Sequence, residues 1–205
     1  MTRTERIKEI QRSVGADADG VIGNETLTKF QCRYGIPSKA MVALFFGTIA
    51  HESRDFTIVE ESGMYSAERL RAIFPKYFPT MDVAKQYAYK PEAIFNKTYG
   101  GRMGNNSPGD GYKFRGRGYM QTTGKYSYDR LGKHIGVDLL NNPDLVATKY
   151  PMDSALFYFT DNKLWGLVSD VSEESIRLIR KRVNGGYNGL DDFRSKVKKY
   201  YSLMK

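Results

Sequence analysis

The 205-residue chain has one cysteine, Cys32, and two histidines, His51 and His134. A single cysteine excludes an intramolecular disulfide and suits synthesis in a reducing cytosol. Cys32 falls in a helical pattern between Phe30 and Tyr34, where packing is expected of it rather than reactivity. Two histidines leave a multi-histidine zinc site without ligands, so neither a metal nor a cofactor is expected. No apolar run approaches the ~18 residues of a membrane-spanning helix, which argues against stable membrane insertion. The opening stretch, Met1-Thr2-Arg3-Thr4-Glu5-Arg6-Ile7-Lys8, has no apolar core of the signal-peptide kind. A Gly-x-x-x-x-Gly-Lys-Ser/Thr phosphate loop is missing, as are support for a serine triad, internal repeats and low-complexity tracts.

Acid is also scarce relative to base. Lys and Arg number 32 against 23 Asp and Glu, a net charge of +9 that draws the chain to polyanions. Nucleic acid, an anionic membrane face and a bacterial wall with carboxylated peptides all qualify. Bases crowd residues 169–205, among them Arg177, Arg180, Lys181, Arg182, Arg194, Lys196, Lys198 and Lys199. The bland reading of such a run is a solvated helix face. Hydrophobic residues make up 40 %, enough for a core and against general disorder. Tyrosine (15) and phenylalanine (11) are plentiful. Tyrosine suits a groove that stacks on sugars and hydrogen-bonds their hydroxyls, although half-buried packing accounts for most of them.

Periodicity predicts a mainly α chain. Ile7, Ile10 and Val14 share one helical face over 5–14, and a turn-rich link leads to a second helix near Glu25. Pro37-Ser38 breaks the chain, and Ser38 can cap a helix over about 39–53 whose apolar residues exceed one stripe, as in a buried central helix. Ser66 and Thr80 cap further helices, the second over 81–89, and Pro91 opens 91–99. Seven glycines between 100 and 118 predict irregular structure with at most a short β-hairpin. Helical character returns at 124–133, 151–162, 173–183 and 189–203.

The chemistry-bearing residues fall in four stretches: Ile49-Ala50-His51-Glu52-Ser53, Glu60-Glu61, Gly109 to Gly124, and Val183-Asn184-Gly185-Gly186-Tyr187-Asn188-Gly189. Glu52 ends the apolar helix with Thr48 and Phe45 on its own face. An apolar setting disfavours the charged carboxylate and raises its pKa, as a general acid near neutral pH requires. Two carboxyls, one to protonate a leaving oxygen and one to activate water or attack, are the equipment of glycosidic-bond hydrolysis. Arg115 and Arg117 flank Gly116 and point the same way if extended, fit to brace the acids or hold the loop rather than to act in catalysis directly. His51 is expected to orient structure beside Glu52. Asn184 offers an amide for binding, or is simply a turn residue.

The order and wording of these stretches resemble the lysozyme-like family 19 glycoside hydrolases, which include chitinases and phage endolysins. The resemblance spans roughly residues 26–195. It implies a lysozyme-like, two-lobed helical globule with a cleft. It implies a catalytic glutamate at Glu61, nine positions after Glu52 and before Ser62-Gly63-Met64-Tyr65-Ser66. In a loop, Glu61 would be partly solvated, stay ionised and orient a water as general base, with Glu60 as its immediate rival. Gln121 and Thr123 match the family's Gln-x-Ser/Thr, the hydroxyl helping to hold that water. Tyr126, Ser127, Asn184 and Arg115 join Gln121 as substrate contacts, and Ser127 departs from the family's usual Asn. An inverting reaction is implied, with carboxyls ~6.5–9.5 Å apart. Residues 1–36 also resemble a truncated peptidoglycan-binding module through Asp19-Gly20-Val21-Ile22-Gly23-Asn24-Glu25-Thr26. They are set apart from a catalytic domain over 37–205, or are its first helices.

The leading expectation is an endolysin: a monomer that cuts β-1,4 bonds of peptidoglycan glycan strands and lyses the host cell. Without a signal peptide it would be made in the host cytoplasm and reach the wall through a separate membrane-permeabilising protein. A chitinase is the alternative within the class. From another class, a basic nucleic-acid-binding protein could use Lys113-Phe114-Arg115-Gly116-Arg117-Gly118-Tyr119, but that segment does not fit the RNP1 pattern and leaves Glu52 and Glu61 unexplained. No nucleic-acid partner is therefore expected. A wall-binding module that has lost catalysis would show a damaged acid pair, and this pair is intact.

Overall fold

The structure is a computed structural model describing residues 1–205. It contains twelve helices, and its only extended pairing is two isolated bridges, so the mainly α expectation holds. The chain divides into two compact units, one of Met1–Ile58 with Ala155–Lys205 and the other of Val59–Ser154.

The first unit is organised around α3 (Lys39–Glu52). Ser38 caps it, its Oγ accepting from the Met41 amide at 3.1 Å. Every residue from Ala40 to Ala50 is buried, as apolar residues on all sides of a helix require. Phe45 meets Phe30, Phe159 and Trp165 with ring centroids 5.6, 4.9 and 5.3 Å away. Phe30, Phe45 and Phe159 are fully buried, and each such phenylalanine removed from water is worth about 1.5–3 kcal/mol. α12 (Leu190–Leu203) runs against α3 at Gly47, where a Cβ would lie 2.5 Å from Val197 Cγ2 and 3.1 Å from its backbone. Only glycine admits that approach. The part of α10 (Pro151–Asp161) from Ala155 onward, and α11 (Glu173–Asn184), belong to this unit too.

α1 (Arg3–Val14) and α2 (Asn24–Tyr34) belong to this same unit. Buried Gln11 fixes the turn between them: its Nε2 donates to Asp19 Oδ1 at 2.7 Å and Thr26 Oγ1 at 3.2 Å, and its Oε1 accepts from the Gly20 amide at 2.8 Å. Arg6 Nη1 donates to the carbonyls of Phe56 (3.1 Å) and Thr57 (2.8 Å), and Arg3 Nε to that of Asp55 (3.0 Å). Cys32 is exposed, against the packing expectation. The buried face of α2 is Thr26, Leu27 and Phe30, and a residue two past Phe30 points nearly opposite.

The second unit holds α4 (Ala67–Ile73), α5 (Met81–Tyr87), α6 (Pro91–Tyr99), α7 (Asp110–Lys113), α8 (Lys125–Ile135) and α9 (Leu145–Thr148). Ser66 and Thr80 cap α4 and α5, and Pro91 occupies the first turn of α6. Leu70, Phe78, Ala84, Ile94 and Phe95 form its core, with Tyr65, Phe74, Tyr99 and Tyr112 packed against it. The glycine-rich segment forms no hairpin: it contains the four-residue α7 and the single pairings of Arg117 with Glu60 and with Thr122. A side-chain hub reinforces these two bridges. Arg117, 1 % exposed, donates to Glu60 Oε1 (3.2 Å), the Lys113 carbonyl (2.8 Å), Tyr128 Oη (2.9 Å) and Asp144 Oδ1 (2.6 Å).

Candidate active site

Glu52 ends α3 in the first unit, and its surroundings are not the apolar pocket expected from Thr48 and Phe45. Its Oε1 accepts from Arg180 Nη1 at 2.5 Å, an ion pair whose arginine is 4 % exposed. Arg180 also donates through Nε (2.9 Å) and Nη2 (2.5 Å) to the Asn188 carbonyl, tying Glu52 to the loop after α11. Asn184 sits exposed at the end of α11 in the same unit. Tyr158 is close enough that the charge of Glu52 adds to burial in raising its phenol pKa. His51 Nδ1 lies 2.5 Å from Asp192 Oδ2, fastening the end of α3 to α12 as its orienting role requires.

The backbone beyond Glu52 is strained. Arg54, Asp55 and Phe56 take φ of 48, 54 and 66°, a run of left-handed non-glycine residues that costs on the order of 1–3 kcal/mol each. Buried Ser53 compensates, its Oγ donating to the Ile49 carbonyl at 2.5 Å and accepting from the Phe56 amide at 2.8 Å. The carbonyl bonds from Arg3 and Arg6 hold the turn from α1.

Glu61 lies in the second unit, half-buried rather than in a solvated loop. Burial pushes its pKa up, against hydrogen bonds from Tyr99, Tyr65 and the Gly116 backbone and the charge of Arg115. Burial thus disfavours the charged form of Glu61, where the sequence led one to expect a solvated carboxylate. Glu60 is turned elsewhere, held by Arg115 and Arg117 with 38 % of its side chain exposed. The two arginines do point the same way, and what they brace is Glu60. Arg115 also lies 4.1 Å over the Tyr112 ring, which helps to hold the loop.

Gly116 is where the expected residues converge. A Cβ there would lie 2.6 Å from Gln121 Oε1 and 3.3 Å from both Glu61 Oε2 and Thr123 Oγ1. Gln121 takes a left-handed φ of 51°, and Thr123 Oγ1 donates to its carbonyl at 2.8 Å. Three side-chain oxygens, one of them from the Glu61 carboxylate, thus crowd the same side of Gly116, and the lack of a Cβ is what leaves them room. Gly116→Ala is expected to lower kcat/KM by about 10²-fold, the scale of a misplacement near 1 Å. Steady-state kinetics with a melting curve checks this; a wild-type rate would mean the space has slack.

The sequence model of the family described as chitinase class I, Glyco_hydro_19, matches residues 75–169. A glycosyl hydrolase family 19 domain-containing protein of Haemophilus influenzae is 36 % identical over 174 residues, covering 83 % of this chain and 82 % of that protein. The chain belongs to glycoside hydrolase family 19. Basic endochitinase B of Arabidopsis thaliana is 34 % identical to this family 19 chain over 109 residues, 53 % of the chain and 27 % of the plant protein. Chitinase C from Streptomyces griseus superposes with a TM-score of 0.52 over 98 % of this chain and 90 % of its own, at 16 % identity. That likeness is one of fold, and the fold is lysozyme-like.

In this family 19 glycoside hydrolase the other expected contacts lie on α8. Tyr126 is 64 % exposed with its ring against Gly104, and Ser127 is half-buried in the first turn. Sequence reasoning missed Arg180, Tyr65 and Tyr99. Arg180 did carry a signal, since it shares the buried face of α11 with Ile176 and Ile179, and a base on an apolar stripe needs a partner.

Proposed function

We propose that this glycoside hydrolase is an endolysin that cleaves β-1,4 bonds in the glycan strands of bacterial peptidoglycan. Glu52 gives its proton to the leaving oxygen. Glu61 takes a proton from a water held by Thr123, and the water oxygen bonds to the anomeric carbon with inversion. The observation that carries the reaction is the convergence of Glu61, Thr123 and Gln121 about Gly116. The net charge of +9 favours an anionic wall over neutral chitin as the surface approached. In this reading the enzyme acts as a monomer, made in the host cytoplasm and released to the wall by a separate permeabilising protein.

Chitin hydrolysis is the second reading, favoured by the chitinases among the relatives; chitin shares the N-acetylglucosamine unit. Incubation with purified peptidoglycan and, separately, with chitin oligosaccharides decides between them. Mass spectrometry of soluble muropeptides, with reduction of new reducing ends, is expected to show glycan cleavage and to name the sugar at the cut. Turnover of chitin oligosaccharides with untouched peptidoglycan would sink the endolysin reading.

A further inference from the structure

A general base must be charged, yet Glu61 is the carboxyl that burial works against. Two phenols meet it. Tyr99 Oη lies 3.0 Å from Oε2 and 3.3 Å from Oε1, spanning the carboxylate, and Tyr65 Oη donates to Oε1 at 3.1 Å. Neither ring is free to swing away. Tyr99 stacks on Phe95 (5.6 Å, 3°) and meets the edge of Phe74 at 6.3 Å; Tyr65 meets Phe74 at 6.0 Å. Both belong to the apolar packing of the second unit.

Both phenols also stay protonated. Burial first and the nearby Glu61 charge second push Tyr65 up to about 12 and Tyr99 higher still. They are donors at any working pH. The oxygen that Tyr99 approaches most closely, Oε2, is the one that faces Gly116 beside Thr123.

We propose that Tyr65 and Tyr99 are positioning residues of the general base, a pair of phenol donors that hold the Glu61 carboxylate with Oε2 turned toward Thr123 and Gly116. The proposal rests on the reading of Glu61 as base. Its consequence is electrostatic as well as geometric. Hydrogen bonds to the charged form offset desolvation, so removing one makes the carboxylate harder to ionise. The other groups that act on Glu61, the Gly116 amide and Arg115, are left in place by changes at the tyrosines.

Tyr99→Phe and Tyr65→Phe each delete one oxygen and keep the ring. Carbon-13 NMR titration of glutamate-labelled protein, with Glu61 assigned from the signal lost in Glu61→Gln, reads the carboxyl directly. Its midpoint is expected to move to higher pH in both variants, further in Tyr99→Phe. The acid limb of kcat/KM on purified peptidoglycan or a chitin oligosaccharide should follow. At pH 5 each variant should lose about tenfold more activity than on the alkaline plateau, with KM little changed. Thermal melting confirms the fold. An unmoved midpoint and acid limb in both variants, beside a dead Glu61→Gln, would overturn the phenol clamp alone. A fully active Glu61→Gln would overturn the base reading and the positioning role with it.

Discussion

Glu52→Gln is expected to slow hydrolysis of the natural glycan by about 10²–10⁴-fold, the usual worth of general acid help, while the protein melts normally. The substitution keeps the shape of the side chain and removes the ionisable carboxyl through which a proton would pass. It also replaces the charge that Arg180 holds, so the fold must be checked by melting. The defect should depend on the leaving group. An aryl glycoside with a dinitrophenol leaving group departs without protonation, so on such a substrate Glu52→Gln should come within about tenfold of wild type. Glu61→Gln should stay crippled on both substrates, because attack by water still needs a base. This comparison matters because the environments cut across the roles: Glu52 is ion-paired, and burial raises the pKa of Glu61. If the good leaving group instead rescued Glu61→Gln and not Glu52→Gln, the acid and base would exchange places. Equal losses on both substrates for both variants would remove acid catalysis from the account of either residue.

What could be read from the sequence was local. The caps at Ser38, Ser66 and Thr80, the all-round burial of α3 and the proline start of α6 follow from neighbouring residues, and the structure has them all. The meeting of Glu61 with Gln121 and Thr123 was legible only through the family wording, since no periodicity places residues 60 positions apart around one glycine. What was lost came from partners farther off. Thr48 and Phe45 do lie on the face below Glu52, but Arg180 arrives from 128 residues away and decides its setting. Tyr99 reaches Glu61 from the far end of α6, 38 residues on, where nothing in Tyr99-Gly100 marks a hydroxyl with a task. Arg117, spaced like Arg115 for an extended chain, does pair its backbone with Glu60 and Thr122, but nothing in the sequence foretold the four side-chain hydrogen bonds to Glu60, Lys113, Tyr128 and Asp144.

The second large effect is expected at Glu61 and Thr123 together. Glu61→Gln removes the proposed base, and Thr123→Ala removes the hydroxyl proposed to hold its water; each should cripple turnover, by about 10²-fold or more. Groups that act on one water are a unit, and losing the second costs little once the first is gone. The double variant should therefore be far more active than the product of the two defects allows. The reason to expect coupling is that Glu61 Oε2 and Thr123 Oγ1 both lie beside Gly116, each 3.3 Å from where its Cβ would be. Glu60→Gln is the control. Its carboxylate is held by Arg115 and Arg117, away from that point, so activity should stay within a few-fold of wild type. Some stability should be lost, because Arg117 is buried and would keep its charge with one acceptor weakened. The test is a double-mutant cycle of initial rates on purified peptidoglycan and on chitin oligosaccharide, with melting temperatures for each variant. Multiplicative losses at Glu61 and Thr123 would mean that they do not share a water. A dead Glu60→Gln beside an active Glu61→Gln would move the base to Glu60, and the two arginines would then be the groups that hold it.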